Sequence, residues 1–308
     1  MLDLNEDQLL LLNNIHNGIL RPVDRLISKD QLYEILTEYQ YEGETYALPY
    51  LVFVDHPVAS STINLAHNGE VVGRLINAHT YTIDVHEVAR LVFGTDSIDH
   101  PGVRSLVEND GRYCLSADID TLTCPISVPY SVTNGVRATV FQSRNPPHIA
   151  HETIIKKYAP DLTYTTPYKT AKSTDYPFST KIKVYEKVQH VYGVDILVTT
   201  LPRVFGGPRE ALQNCIIFQN LGAERLVMGR GKNCVGTFYG DVESYSLCKQ
   251  FYDQGKITIE PVWEHTVFVN GNEVKASVLK TEYIDNGVAP PTELMSEYIS
   301  EVLLCPDD

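Results

Sequence analysis

The sequence predicts an α/β fold: a parallel sheet, preceded by a β-rich block and followed by a short α/β tail. Two patterns predict it. From Gly135 onward, short apolar runs alternate with helical stretches, the rhythm of strand–helix–strand units. From Tyr46 to about Thr123, short strands instead follow one another with turn residues between them. A third observation points to a site. The ends of three of the later apolar runs carry cationic and amide side chains, and open parallel sheets bind ligands at those ends.

Residues 1 to about 45 read as helices and loops. Asp7 precedes Leu9 to Leu12, and Asp30 precedes Leu32 to Leu36; an acidic residue before an apolar run marks a helix start. Leu51–Val54, Val58–Asn64, Val71–Ile76 and Thr80–Ile83 read as strands. His67-Asn68-Gly69-Glu70 is the turn of a hairpin. Asp84 is expected to cap a helix from Val85 to Phe93. This block is expected to form a small barrel-like domain ending near residue 130.

The second part reads as strand 136–141, helix 148–157, strand 163–165, helix 179–191, strand 196–199, helix 208–220 and strand 225–228. Gly222 is the expected end of the helix before it. A helix over 241–254, a strand over 257–259 and an α/β tail complete the chain. The expected division is 1–132, 133–245 and 246–308.

Composition bounds the function. The chain has 308 residues, 43% apolar and 21% charged, the profile of a globular protein with ample core. No apolar run approaches the roughly 20 residues of a membrane helix, and the acidic start Met1–Asp7 lacks the basic region of a secretory signal. The six cysteines form no CxxC pair, which points to scattered reduced thiols and a cytoplasmic location. A net charge of −14 argues against nucleic-acid binding and membrane partners. Its distribution is uneven. Val136 to Lys232 holds 14 Lys/Arg and 7 Asp/Glu, whereas the other 211 residues hold 11 and 32. A basic centre in an acidic protein suits small anions; solvated helix faces would give the same count.

The most informative stretch is Val140-Phe141-Gln142-Ser143-Arg144-Asn145-Pro146-Pro147-His148-Ile149-Ala150-His151-Glu152. A buried strand ends, Asn-Pro-Pro forces a turn, and a helix begins. His148 and His151 share one helix face. Gln142, Arg144 and Asn145 precede the positive helix end, a place for an anion. Arg203, Arg209 and Arg230 lie at two further strand ends. No Ser-His-Asp or Cys-His pairing is evident. The set fits phosphoryl or nucleotidyl transfer, which needs positioning and charge neutralisation more than covalent help. A dianionic acceptor needs no general base. Zinc on the histidine pair is the other chemical reading, and no clear third ligand accompanies it.

These residues resemble a known family. Gln142-Ser143-Arg144-Asn145 with His148-Ile149-Ala150-His151 is similar to the QxRN and HxxH motifs of the ATP sulfurylase family (sulfate adenylyltransferases). Arg203 with Gly206 to Leu212, Gly229-Arg230 and Val235 to Tyr239 resemble further segments of it. Val92-Phe93-Gly94-Thr95 with His100-Pro101-Gly102-Val103 resembles its PUA-like domain, and Gly287 to Pro291 its C-terminal end. The resemblance implies a Rossmann-like nucleotidyltransferase core with an N-terminal β-rich PUA-like domain and a small C-terminal α/β segment. It implies transfer of AMP from MgATP, or another nucleoside triphosphate, to a small oxyanion, sulfate first. Gln142, Ser143, Arg144, Arg209, Lys232 and Asn233 would bind the acceptor. Gln142, Asn145, His148, His151, Gly229 and Arg230 would bind the nucleotide. Arg144, Asn145, His148, His151 and Arg230 would be catalytic, with no protein-held metal. Family analogy also implies a homo-oligomer.

The sequence departs from the family in three places. Gly229-Arg230-Gly231-Lys232-Asn233-Cys234 stands where the family has Gly-Arg-Asp-His-Ala-Gly. Asn214, Phe218 and Gln219 replace the usual His, Arg and Lys, and Thr281 to Asp285 replaces a basic segment. No GxxxxGK[ST] loop is present, so a fused P-loop kinase is not expected. Three functions follow: sulfate adenylyl transfer, nucleotidyl transfer with another nucleotide or acceptor, and nucleotide binding without catalysis.

Overall fold

A computed structural model describes residues 1–130, 135–143, 145–169, 176–230, 235–265 and 267–305. They form two compact units whose sequences interleave. The first holds 1–127, 201–221 and 231–260; the second holds 128–200, 222–230 and 261–308.

The early chain runs β1 (Leu2–Asp3), α1 (Glu6–His16), β2 (Arg25–Leu26), α2 (Lys29–Glu38), β3 (Gln40–Tyr41), β4 (Glu44–Thr45), β5 (Phe53–Val54), β6 (Ile63–His67), β7 (Glu70–Tyr81), α3 (Val85–Phe93), α4 (Pro101–Val107) and β8 (Tyr113–Leu122). Six of these strands form one sheet in the order β1-β6-β7-β8-β2, with β5 also on β8. The β6–β7 hairpin turns at Asn68 and Gly69, with φ of 52° and 83°, the left-handed pair such a turn requires. Asp84 caps α3 by accepting from the amides of His86 and Glu87. Both leucine-rich helices start earlier than their acidic residues. Asn5 with Gln8 and Ser28 with Gln31 make reciprocal caps on α1 and α2.

Two strand expectations change. Residues 71–76 and Thr80–Tyr81 belong to one strand, β7, which ends before residues 82–83; its pairing with β8 shifts between Ile76 and His79 around Asn77 at φ 52°. The expected strand over 58–64 survives only from Ile63.

The later chain runs β9 (Thr139–Gln142), α5 (Ile149–Tyr158), β10 (Leu162–Pro167), α6 (Phe178–Tyr192), β11 (Asp195–Thr199), α7 (Gly207–Asn220), β12 (Arg225–Met228), α8 (Glu243–Asp253), β13 (Glu260–Trp263), β14 (Phe268–Val269), β15 (Asn272–Glu273), α9 (Ala276–Glu282) and α10 (Glu297–Leu304). The second sheet has the order β11-β10-β9-β12-β13, and β9 to β12 pair in parallel, as the alternating rhythm predicts. Its central strand β9 is the one that ends at Gln142. Phe141, Tyr164, Tyr185, Val188 and Ile155 form its core with Met295 and Ile299 of the C-terminal segment.

Helix α7 packs with the first unit. Its polar side chains explain why. Gln213 Oε1 accepts the amides of Ala47 and Leu48, and Asn220 donates to the carbonyls of Ile19 and Arg21. Gly222, at φ 94°, follows the helix end as expected. Residues 257–259 are not a strand. The amides of Thr258 and Ile259 donate to the Gln219 side chain instead, and the strand begins at Glu260.

Candidate active site

The parallel sheet brings Gln142, Ser143, Asn145, His148, His151, Gly229 and Arg230 into one unit, after β9 and after β12. Arg144, Lys232 and Asn233 lie outside the described residues, as do Gly231 and Cys234.

The loop after β9 is shaped by its own side chains. Ser143 Oγ donates to the carbonyl of Asn145 at 3.0 Å and accepts its amide at 3.3 Å. Tyr185 adds a hydroxyl bond to the same carbonyl. Ser143 is buried, and these bonds give it a turn-forming role.

His148 and His151 do come together, with ring centroids 4.1 Å apart. His148 is the cap of α5 rather than a residue within it. Its Nδ1 accepts the amide of Ala150, and Nδ1 of His151 accepts the amide of His148, each at 3.3 Å. Two imidazoles thus build a reciprocal cap. The geometry fixes both tautomers. A ring nitrogen that accepts from an amide carries no proton, so each neutral ring keeps its proton on Nε2. Burial favours those neutral forms. It pushes His148 down to about 4, with Glu152 pulling the other way, and holds His151 well below the ordinary histidine range, aided by His148.

The positive end of α5 is partly consumed from within. The amide of Ile149 donates to the carbonyl of Leu294 at 3.0 Å, and that of Ala150 goes to His148. Neither of these two amides is left as an open donor at the helix end.

Arg230 is exposed at the end of β12, and its Nη2 reaches both carboxylate oxygens of Glu273, at 2.7 and 2.9 Å. Lys275 faces the same carboxylate at 3.4 Å. Arg209 differs from expectation. It is buried in the first unit and donates to the carbonyls of Ile35, Leu36 and Ala47 at 3.3, 2.6 and 2.9 Å. Its guanidinium lies 3.8 Å from the centre of the Tyr39 ring. Those partners close the C-terminal end of α2, where cations are favoured. Arg209 thus binds backbone carbonyls within the first unit, a structural role. Arg203 lies in the first unit as well, over Phe205.

The roles of two residues escaped sequence reasoning. Glu152 is fully buried among the hydroxyls of Tyr192, Ser296 and Tyr298. Its signal was available, because Ile149, Glu152 and Ile155 are three apart and a carboxylate interrupts the apolar side of α5. His100, fully buried, caps α4 through Nδ1 and meets the Tyr239 hydroxyl through Nε2 at 3.1 Å. Nothing in the sequence joins residues 139 positions apart.

Known proteins match this arrangement. A family model described as ATP-sulfurylase matches residues 132–305, and one described as PUA-like domain matches residues 1–123. A sulfate adenylyltransferase of Pyrococcus abyssi is 28% identical over 267 residues, 79% of this chain and 70% of that protein. One from Persephonella marina is 26% identical over 341 residues, 94% of this chain and 86% of that protein. A solved structure of a hexameric APS kinase from Thiobacillus denitrificans aligns with a TM-score of 0.70 at 13% identity. It matches 98% of this chain, which spans 62% of the solved one, and at that identity the likeness concerns the fold. The α/β core on a parallel sheet and the PUA-like N-terminal domain stand together here, and the chain belongs to the ATP-sulfurylase family.

Proposed function

We propose that the chain is a nucleotidyltransferase that moves AMP from MgATP to sulfate, giving adenosine 5′-phosphosulfate and pyrophosphate. The observation that carries this reading is the capped imidazole pair at the end of the central strand. Two Nε2–H groups on one helical turn suit the oxygens of a polyphosphate. A sulfate oxygen attacks the α-phosphorus and the bond to the β-phosphate bridge breaks. Negative charge grows on the leaving pyrophosphate, and donors already fixed there lower the barrier without reorganising. His148 and His151 act as neutral donors in this scheme. Gln142, Arg144 and Asn145 hold the acceptor and the α-phosphate, and Gly229 and Arg230 lie against the nucleotide. Sulfate is already a dianion, so no general base is needed.

Among the described residues no group of three or more His, Cys, Asp or Glu could hold a metal ion. Mg²⁺ enters this reading with the nucleotide, whose phosphate oxygens bind it in the usual way. The chemistry is assigned to residues 133–245, with supporting segments on either side. A cytoplasmic homo-oligomer completes the reading; light scattering after gel filtration tests the assembly.

A second reading rests on Arg230. Its guanidinium is held by a carboxylate, and the sequence after it reads Gly231, Lys232 and Asn233 in place of Asp, His and Ala. Those changes suit another nucleotide or acceptor. One assay separates the two readings. Pyrophosphate release is measured with each nucleoside triphosphate, Mg²⁺, and sulfate, molybdate, phosphate or a phosphonate. Turnover with ATP and sulfate or molybdate supports the first reading; turnover only with another pair supports the second. Silence with every pair refutes both. Arg144→Ala is expected to abolish turnover in a folded protein. Gly231→Asp with Lys232→His is expected to raise sulfate-dependent turnover.

A further inference from the structure

Glu152 follows His151 directly and is wholly removed from solvent. Its carboxylate is held by hydroxyls. Tyr192 and Tyr298 each donate to Oε1 at 2.7 Å, and Ser296 lies 2.7 and 2.8 Å from the two oxygens. The donors come from α6, from the residue that starts α10, and from α10 itself.

Burying an ionised carboxylate is costly, and an apolar side chain of similar size generally stabilises as well or better. Stability alone is therefore a weak reason for a charge here. What distinguishes the position is its neighbour. The Glu152 amide donates to the His148 carbonyl at 2.9 Å, and the Ile149 amide donates to the Leu294 carbonyl at 3.0 Å. The first of these is the helix's own bond; the stretch Leu294–Tyr298 holds the turn twice, through the Leu294 carbonyl on the Ile149 amide and through Ser296 and Tyr298 on the Glu152 carboxylate. The carboxylate also acts electrostatically on His148 against the effect of burial.

We propose that Glu152 is the positioning residue of the His148–His151 pair, held in place by Tyr192, Ser296 and Tyr298. The stretch 294–298 then supports catalysis without touching substrate. Its catalytic consequence rests on the adenylyl-transfer reading, while its structural content, the fixed orientation and tautomer of the two rings, does not.

The test uses the full chain with Glu152→Gln, Ser296→Ala and Tyr298→Phe. Long-range proton–nitrogen NMR of the imidazoles is recorded near neutral pH without nucleotide. The wild-type protein should show both rings protonated at Nε2 only, and Glu152→Gln should give mixed tautomers or a lower His148 titration midpoint. In kinetics, Glu152→Gln should lower kcat at least about tenfold while KM for ATP stays within about threefold, because a misplaced donor weakens the transition state more than binding. If Glu152→Gln does not fold, the Ser296→Ala/Tyr298→Phe double variant carries the test with the same expected outcome. A folded variant with wild-type ring tautomers, an unmoved His148 midpoint and kcat within about twofold overturns the proposal. If the wild-type protein turns over no nucleotide–oxyanion pair, the functional reading fails, and the NMR comparison still decides this one.

Discussion

The imidazole of His151 accepts the backbone N–H of His148 at 3.3 Å, so the two rings proposed to face the nucleotide also cap the helix that carries them. Protonating Nδ1 of either ring would break that cap. Catalysis should therefore use neutral rings, with kcat showing no acid limb at the ordinary histidine midpoint. Stability should follow the same groups. Burial holds His148 at about 4, and His151 and His100 below the ordinary value. In the unfolded chain they bind protons near pH 6.5, so unfolding takes up protons below that pH. Their contribution is complete above about 6.5 and is lost as pH falls toward 4, with His148 alone accounting for on the order of 3 kcal/mol. Urea midpoints near pH 7.5 and pH 5 check this. Equal midpoints would sink the argument.

Arg209 offers a contrast between a site residue and a structural one. Its guanidinium satisfies three carbonyls and stacks on Tyr39. Arg209→Ala should cost about 3 kcal/mol, because buried acceptors lose charged donors. The folded fraction should keep its KM for sulfate. A stable variant with a raised KM would return Arg209 to the acceptor site.

The legible part of this chain was the part written in local pattern. The alternation of apolar runs gave β9 to β12, and the residues around Asn-Pro-Pro gave the strand–loop–helix that carries the histidines. Residues whose role depends on distant partners were not legible. Arg209 looked like Arg230 in sequence, yet one finds backbone carbonyls and the other finds Glu273. Glu152 is visible in sequence only as a carboxylate on the apolar side of α5, and its three hydroxyl partners lie 40 to 146 positions away. Ser143 sat inside a motif, but its hydroxyl closes on a residue two places along.

Gly207 should not tolerate a side chain. It has φ 52°, and an added Cβ would meet the Tyr239 ring at 2.5 Å. That ring is fixed by the hydroxyl contact with His100. Gly207→Ala is expected to destabilise by about 2 kcal/mol or more, from backbone strain and overpacking together. In a Tyr239→Ala background the overpacking part should vanish. Thermal melts of the four proteins read the coupling, and strict additivity would show that the clash does not exist.

The Arg230–Glu273 pair gives the sharpest test of the nucleotide side. The Arg230 side chain is 42% exposed and that of Glu273 21%, so the pair contributes at most about 1 kcal/mol and is easily broken. An incoming phosphate would have to displace the carboxylate or bind beside it, and in either case the negative charge of Glu273 opposes it. Glu273→Gln removes that charge while keeping the shape. KM for the nucleotide should fall, by up to about fivefold, which corresponds to roughly 1 kcal/mol. The effect should shrink as salt is raised, since exposed charges are screened. Arg230→Ala should raise KM in the wild-type background and abolish the gain from Glu273→Gln. If Glu273→Gln leaves KM unchanged at low salt, Arg230 does not meet the nucleotide's charge, and the ion pair serves only to tie the β14–β15 hairpin to the end of β12.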